Sequence, residues 1–128
     1  MNEAELAANA QATERIVSDL NKQPRLQYED DSFDFVTNVS SVDYLTRPRE
    51  VFGEVHRVLR PGGVAVVAFS NRCFDSKAVA VWLRDISAGP ALASIVANYL
   101  HFGAPEDQPW SHIASVDISP RTSNGELT

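Results

Sequence analysis

The side chains able to do chemistry are few and scattered. Three histidines, His56, His101 and His112, lie far apart, adjoin no cysteine and show none of the short spacings that gather metal ligands. No metal site is expected from them, and His56, on the polar side of an amphipathic segment, reads as solvated. Cys73 is the single cysteine, so no internal disulfide is available. A nucleophilic thiol needs a base beside it, and the sequence identifies none, so Cys73 reads as a small loop residue. Gly62 and Gly63 follow Pro61, a combination suited to a sharp reversal rather than to cradling a phosphate. Trp82, Phe102 and Trp110 read as packing residues. Asp31 and Asp34 serve equally well, at this level, as turn formers and as ligands. No catalytic residue can be named.

The elements that position these residues centre on Phe33 to Ser70. Phe33–Val39 is short and rich in aromatic and β-branched residues, which predicts a strand. Pro48 suits the first turn of a helix, where its missing N–H costs nothing. Val51, Val55, Val58 and Leu59 then recur at helical spacing, opposite Arg49, Glu50, Glu54 and Arg57, which predicts a helix over 48–59. Pro61-Gly62-Gly63 stops it in a tight turn. Val64 to Ser70 is apolar at successive positions, as expected of a strand buried on both faces of a parallel sheet. Strand, helix and strand make a right-handed crossover. In open α/β sheets ligands bind beyond the carboxyl ends of the strands. Here those ends are Asn38 to Asp43 and Ser70 to Arg72.

Around this unit the signals are weaker. Helix formers from Asn2 to Gln11, with Asn2 and Glu5 in a capping-box pattern, predict a helix. Ile16-Val17 before Asp19 suits either a short strand or a helix continuing through Leu20, the latter favoured if the sheet has few strands. Residues 21–32 read as loop. Ser76 caps a predicted helix from Lys77 to about Ile86. Gly89-Pro90 breaks it, and a further helix from Ala91 to about Leu100 carries an apolar face of Leu92, Ile95, Val96, Tyr99 and Leu100. Ile113 to Ile118 alternates well enough for one more strand. Residues 1–118 are expected to form one incomplete domain, and 119–128 a polar, disordered tail.

Bulk properties narrow the function classes. The chain has 128 residues, so it holds one domain at most. Its 17 acidic and 11 basic residues give a net charge of −6 with no basic cluster, which argues against general nucleic-acid binding. No apolar run is long enough to span a bilayer, and the acidic, alanine-rich start is not a secretory signal. The expected location is the cytoplasm.

Asp31-Ser32-Phe33-Asp34, followed after a strand and a helix by Arg57-Val58-Leu59-Arg60-Pro61-Gly62-Gly63, resembles the central part of a class I S-adenosylmethionine-dependent methyltransferase of the subgroup acting on small molecules. The two motifs at this separation form a fairly specific pair. The resemblance covers roughly residues 1–83 and is strongest from Asp30 to Ser70. It implies a partial Rossmann-like α/β fold, S-adenosylmethionine as cofactor and a small-molecule methyl acceptor. Carried over position by position, it places Asn38, Val39 and Ser40 along the methionine side of the cofactor. It places Asp19 and Leu20 at the adenine, and Asp43 and Tyr44 toward the acceptor.

The departure from that family is specific. Its members need a glycine-rich loop after the first strand and an acidic residue ending the second. The six glycines here all lie at or beyond Gly53, and no G-x-G occurs. The expectation is a shortened member that lacks its first two strands and half of the cofactor pocket. The strand at Phe33–Val39 would then have an open edge. That edge and the 91–100 helix face suggest an alternative, a non-enzymatic module that docks a protein partner or a second copy.

Overall fold

The computed structural model describes residues 3–85 and 89–120. Its elements in order are α1 (Glu3–Ala8), β1 (Phe33–Val39), a 3-10 turn (Val42–Tyr44), α2 (Pro48–Val58), β2 (Leu59–Ala68), α3 (Ala80–Asp85) and α4 (Gly89–Gly103). β1 and β2 form a two-stranded parallel sheet joined by α2. The fold is a partial Rossmann-like α/β arrangement, as the resemblance implies.

α2 begins with Pro48 at its first turn and runs directly into β2, with Leu59 already extended at φ −80° and ψ 135°. Leu59 pairs with Phe33, and Val64 pairs with Phe35. Residues 60–63 therefore bulge out opposite the single residue Asp34. Gly62 adopts φ 82°, a left-handed conformation open to glycine at little cost. Gly63 is needed for a different reason. A Cβ there would lie 2.8 Å from the Arg60 carbonyl oxygen and 3.2 Å from that of Asp34. Arg60 and Asp34 close the bulge with an exposed ion pair at 2.9 Å.

One face of the sheet is covered. Val36, Ala65 and Val67 pack against a core of Val42, Leu45, Val51, Phe52, Val55, Leu59, Trp82, Leu92 and Val96. α4 lies on α2, with Tyr99 stacked on Phe52 at 6.5 Å. The two helices touch backbone to backbone at Gly53 and Gly103. A Cβ on Gly103 would sit 2.9 Å from the Arg49 carbonyl oxygen and 3.0 Å from the Gly53 nitrogen. After α4 the chain folds back onto α2. The Trp110 indole donates to the Leu100 carbonyl at 3.0 Å, and His56 meets the Trp110 ring edge-on at 5.0 Å.

Arg57 fixes the loop that leads into β1. Its Nε and Nη2 donate to the Glu54 carboxylate at 2.8 and 2.7 Å. Nη1 donates to the Tyr28 carbonyl at 2.9 Å and to Asp30 at 2.7 Å, and Nη2 also reaches the Leu26 carbonyl at 3.1 Å. All five guanidinium N–H groups are thus engaged. Glu54 in turn accepts the Leu26 N–H at 2.9 Å. The Asp31 and Ser32 N–H groups donate to the Arg57 and Val58 carbonyls at 3.1 and 2.8 Å. Asp31 takes up φ 53° to make that entry. Its role here is to shape the turn.

Several expectations are corrected. Pro61-Gly62-Gly63 is a bulge inside β2 rather than a turn before it, because Leu59 is already paired. β2 is not buried on both faces: Val64 and Val66 are exposed, as are Phe35 and Val39 on β1. The segment around Ile16-Val17 is neither strand nor helix, and α1 stops at Ala8. Ile113–Ile118 forms no strand within the chain. The apolar face of residues 91–100, expected to await a partner, is turned onto α2, with Leu92 and Val96 buried. His56 is half-buried against Trp110 rather than solvated. The expected cap at Asn2, the helix end at Ile86 and the tail from residue 121 lie outside the described residues.

Two predictions follow from this packing. Gly103→Ala forces a methyl against backbone atoms of α2 and should lower stability by about 1–3 kcal/mol, read from thermal or urea unfolding. Arg57 holds the Glu54 carboxyl below the usual glutamate range, the Leu26 N–H adding to the effect. A lowered folded-state pKa contributes stability above the unfolded value, roughly 4.3, that is lost as pH falls through the folded value. Stability should therefore drop on acidification below about pH 4.3, and Glu54→Gln should flatten that part of the curve.

Candidate functional site

The carboxyl ends of the strands finish side by side. Asn38 pairs with Val67 and Val39 with Ala68. The Ser40 N–H donates to the Ala68 carbonyl at 2.8 Å, and Ser40 adopts φ 48°, rare for a residue with a Cβ. That conformation directs the chain into the 3-10 turn, where Val42 and Asp43 are buried and Tyr44 is half-buried.

The segment after β2 is bonded across this end. The Asp43 carbonyl accepts the Val79 N–H at 2.9 Å, and the Tyr44 hydroxyl accepts the Phe74 N–H at 3.0 Å. The Phe74 N–H pulls the Tyr44 phenol down, but burial and the Asp43 carboxylate together outweigh it, and the net direction is upward. Burial pushes the Cys73 thiol up, and the Asp75 and Asp43 carboxylates add to the shift. A raised thiol pKa disfavours the thiolate, so Cys73 is poorly suited to nucleophilic work.

Asn38 and Val39 point to opposite faces. Val39 lies on the uncovered face and is 63% exposed. Asn38 lies on the covered face, and its Oδ1 is buried without a hydrogen-bond partner among the described residues. The indole N–H of Trp82, met edge-on by Phe69 at 5.5 Å, is likewise buried and without a partner among the described residues.

Asp19 is exposed in a local turn. Its carboxylate accepts the Asn21 N–H at 3.1 Å and lies 3.7 Å from the Lys22 ammonium. Leu20 packs against the core. Asn21 carries this turn to the strand ends. Its Nδ2 donates to the Tyr44 carbonyl at 2.9 Å, and its Oδ1 accepts the Thr46 N–H at 2.8 Å. The Asp19-Leu20 turn is thereby tied, through Asn21, to the segment around Tyr44 that follows the Asn38–Ser40 end of β1. Asn21 has no signal beyond its type: a side-chain amide offers a donor and an acceptor together, and so can clamp a backbone segment.

Two surface hollows lie elsewhere. One of about 130 Å³ is lined by Glu3, Leu6, Ala7, Arg15 and Val17. The other, about 440 Å³, is lined by Arg49, Glu50, Gly53, Phe102 and Gly103 at the α2–α4 crossing. None of the seven site residues expected from the sequence lines either one. Among the described residues no group of three or more His, Cys, Asp or Glu side chains comes together as a metal site, and no helix is long and apolar enough to cross a membrane.

Residues 1–67 match the family model described as a methyltransferase domain. That span is about half of the chain and contains all seven candidate residues, β1, α2 and nearly all of β2. The chain belongs to this family, the class I S-adenosylmethionine-dependent methyltransferase domain. No curated protein and no solved structure matches it.

Asn21→Ala removes the tie between the Asp19 turn and the strand ends. It should cost about 1 kcal/mol of global stability and raise amide exchange at Thr46, measured by hydrogen–deuterium exchange.

Proposed function

We propose that this chain carries part of a small-molecule methyltransferase, with the methionine end of S-adenosylmethionine at Asn38, Val39 and Ser40. The adenine end lies at Asp19-Leu20, and the acceptor near Asp43-Tyr44. The observation that carries this reading is the tie, through Asn21, of the Asp19-Leu20 turn to the segment around Tyr44 that follows the Asn38–Ser40 end of β1. The Asn38 Oδ1, without a partner among the described residues, supports it, since a buried acceptor of this kind suits a ligand's ammonium or N–H group. The exposed Asp19 carboxylate suits an exocyclic amine. When bound, the cofactor supplies an activated methyl group, and the protein's part in the transfer is alignment of the two reactants.

The residues fit only half of that cofactor. No glycine lies upstream of Gly53, so nothing here matches the backbone cradle expected after a first strand. The chain alone holds the cofactor weakly and does not complete methyl transfer. Residues 1–118 are read as a single incomplete methyltransferase-like unit, and 119–128 are polar in sequence. Its single cysteine supports a reducing, cytoplasmic setting, and its acidic charge supports small molecules rather than nucleic acid as substrates.

The uncovered face of β1 and β2 favours a second reading, in which the free β1 edge docks another protein chain.

Calorimetric titration with S-adenosylhomocysteine decides between half a pocket and a whole one. A sample that is folded by circular dichroism should show no micromolar binding. Micromolar binding would overturn the half-pocket, and Asp19→Ala and Asn38→Ala should then each weaken it about tenfold or more.

A further inference from the structure

Two unsatisfied features of the chain complement each other. The first is the outer edge of β1. Among the described residues β1 bonds to β2 on one side only, and its flanking backbone bonds, from Asp31, Ser32 and Ser40, also run toward the α2–β2 segment. On the uncovered face Phe35 is 69% exposed and Val39 63%. The outer edge of β2 is a poorer template, because Pro61 has no N–H and the bulge at 60–63 interrupts it. β1 runs unbroken for seven residues.

The second feature is Ile113–Ile118. Its alternation and β-branched residues are those of a strand, yet it lies irregular after the Trp110 anchor, with Ile113 half-buried and residues 114–118 exposed. Val116 is 81% exposed and Ile118 87%, the highest values among the large apolar residues of the described chain. Ile113 to Val116 make no hydrogen bonds among the described residues. Six residues of strand span roughly 20 Å, close to the length of the β1 edge. From Trp110 the eight residues to Ile118 reach at most about 28 Å, enough to cross onto a neighbouring molecule.

We infer that Ile113–Ile118 of one copy adds as a strand to the free β1 edge of a second copy, and that the exchange is reciprocal. The occupant is fixed by matching need. An open strand edge lacks backbone partners, and a strand-patterned segment of similar length lacks a sheet. Reciprocal exchange satisfies both in both copies and closes as a two-fold dimer rather than as an open chain. It lets Val116 and Ile118 come against the uncovered faces that carry Phe35 and Val39. The exchange rests on the second reading above, that the β1 edge is a docking edge. It does not depend on cofactor binding.

Sedimentation equilibrium of the full chain over a wide concentration range tests this, together with hydrogen exchange. The expected mass is twice the 14.1 kDa of the monomer, with slowed exchange in both 33–39 and 113–118. The double variant Val116→Asp with Ile118→Asp changes only exposed side chains, so the monomer fold should persist by circular dichroism. It should raise the dimer dissociation constant at least tenfold and lose protection in both segments. A wild-type chain that stays monomeric at high micromolar concentration would overturn the exchange and leave the β1 edge without an occupant from this chain. A dimer unaffected by the double variant, with 33–39 protected but 113–118 not, would also overturn it while leaving the docking-edge reading intact.

Discussion

A single guanidinium sets the geometry on which the sheet depends. Arg57 is the next-to-last residue of α2, and each of its five N–H groups is used. Three bonds go to side-chain carboxylates and two to backbone carbonyls of the loop before β1. Neither guanidinium nor carboxylate is well solvated, since the Arg57 and Glu54 side chains are only 20% and 17% exposed. A partly buried charge is tolerable only when its bonding capacity is filled. The loop from Leu26 to Asp30 supplies that capacity and in return is held against the end of α2. β1 can then start beside Leu59, which follows the helix without a spacer. The paired motifs that first suggested the family are the two halves of this arrangement. They record how the strand–helix–strand unit is assembled, and they touch the chemistry only by placing the strand ends.

How much of this was legible in the sequence depends on how local the cause was. The strand at Phe33–Val39 and the helix from Pro48 were readable because side-chain pattern and a proline at the first turn act over a few residues. The helix ahead of Gly103 was readable for the same reason. Its partner was not. An apolar stripe does not say what covers it, and the pairing with α2 rests on two glycines fifty residues apart whose backbones meet. Ile113–Ile118 shows the opposite limit. A strand pattern is necessary for a strand, but the ladder needs a second edge, and within the described chain that segment is paired with none.

The candidate site is reached from the sequence by position rather than by contact. The rule that ligands gather beyond the carboxyl ends of parallel strands led to Asn38–Asp43. The structure adds what holds the other half in place, the Asn21 amide across Tyr44 and Thr46. It also shows Asn38 and Val39 on opposite faces of the sheet, which follows from the two-residue period of a strand once one face is known to be covered. The Trp82 indole N–H, without a partner among the described residues, could not be read from an aromatic at helical spacing, because satisfaction of a donor is a property of the finished packing.

The bulge at residues 60–63 has a consequence for how reliably the two strands find their alignment. Register is normally enforced by contrast, because a one-residue slip turns the apolar face to water. Here that contrast is weak. Phe35, Val39, Val64 and Val66 make the outer face nearly as apolar as the inner one, so a slipped pairing would lose little burial. The Pro61-Gly62-Gly63 bulge supplies the missing discrimination. It fits only where Gly62 can turn left-handed and Gly63 can sit against the Asp34 carbonyl, with Arg60 and Asp34 facing each other across it. A slide of β2 in either direction would place a residue with a Cβ in one of those two positions. The alignment is thus fixed by shape at one point rather than by hydrophobic pattern along the strand.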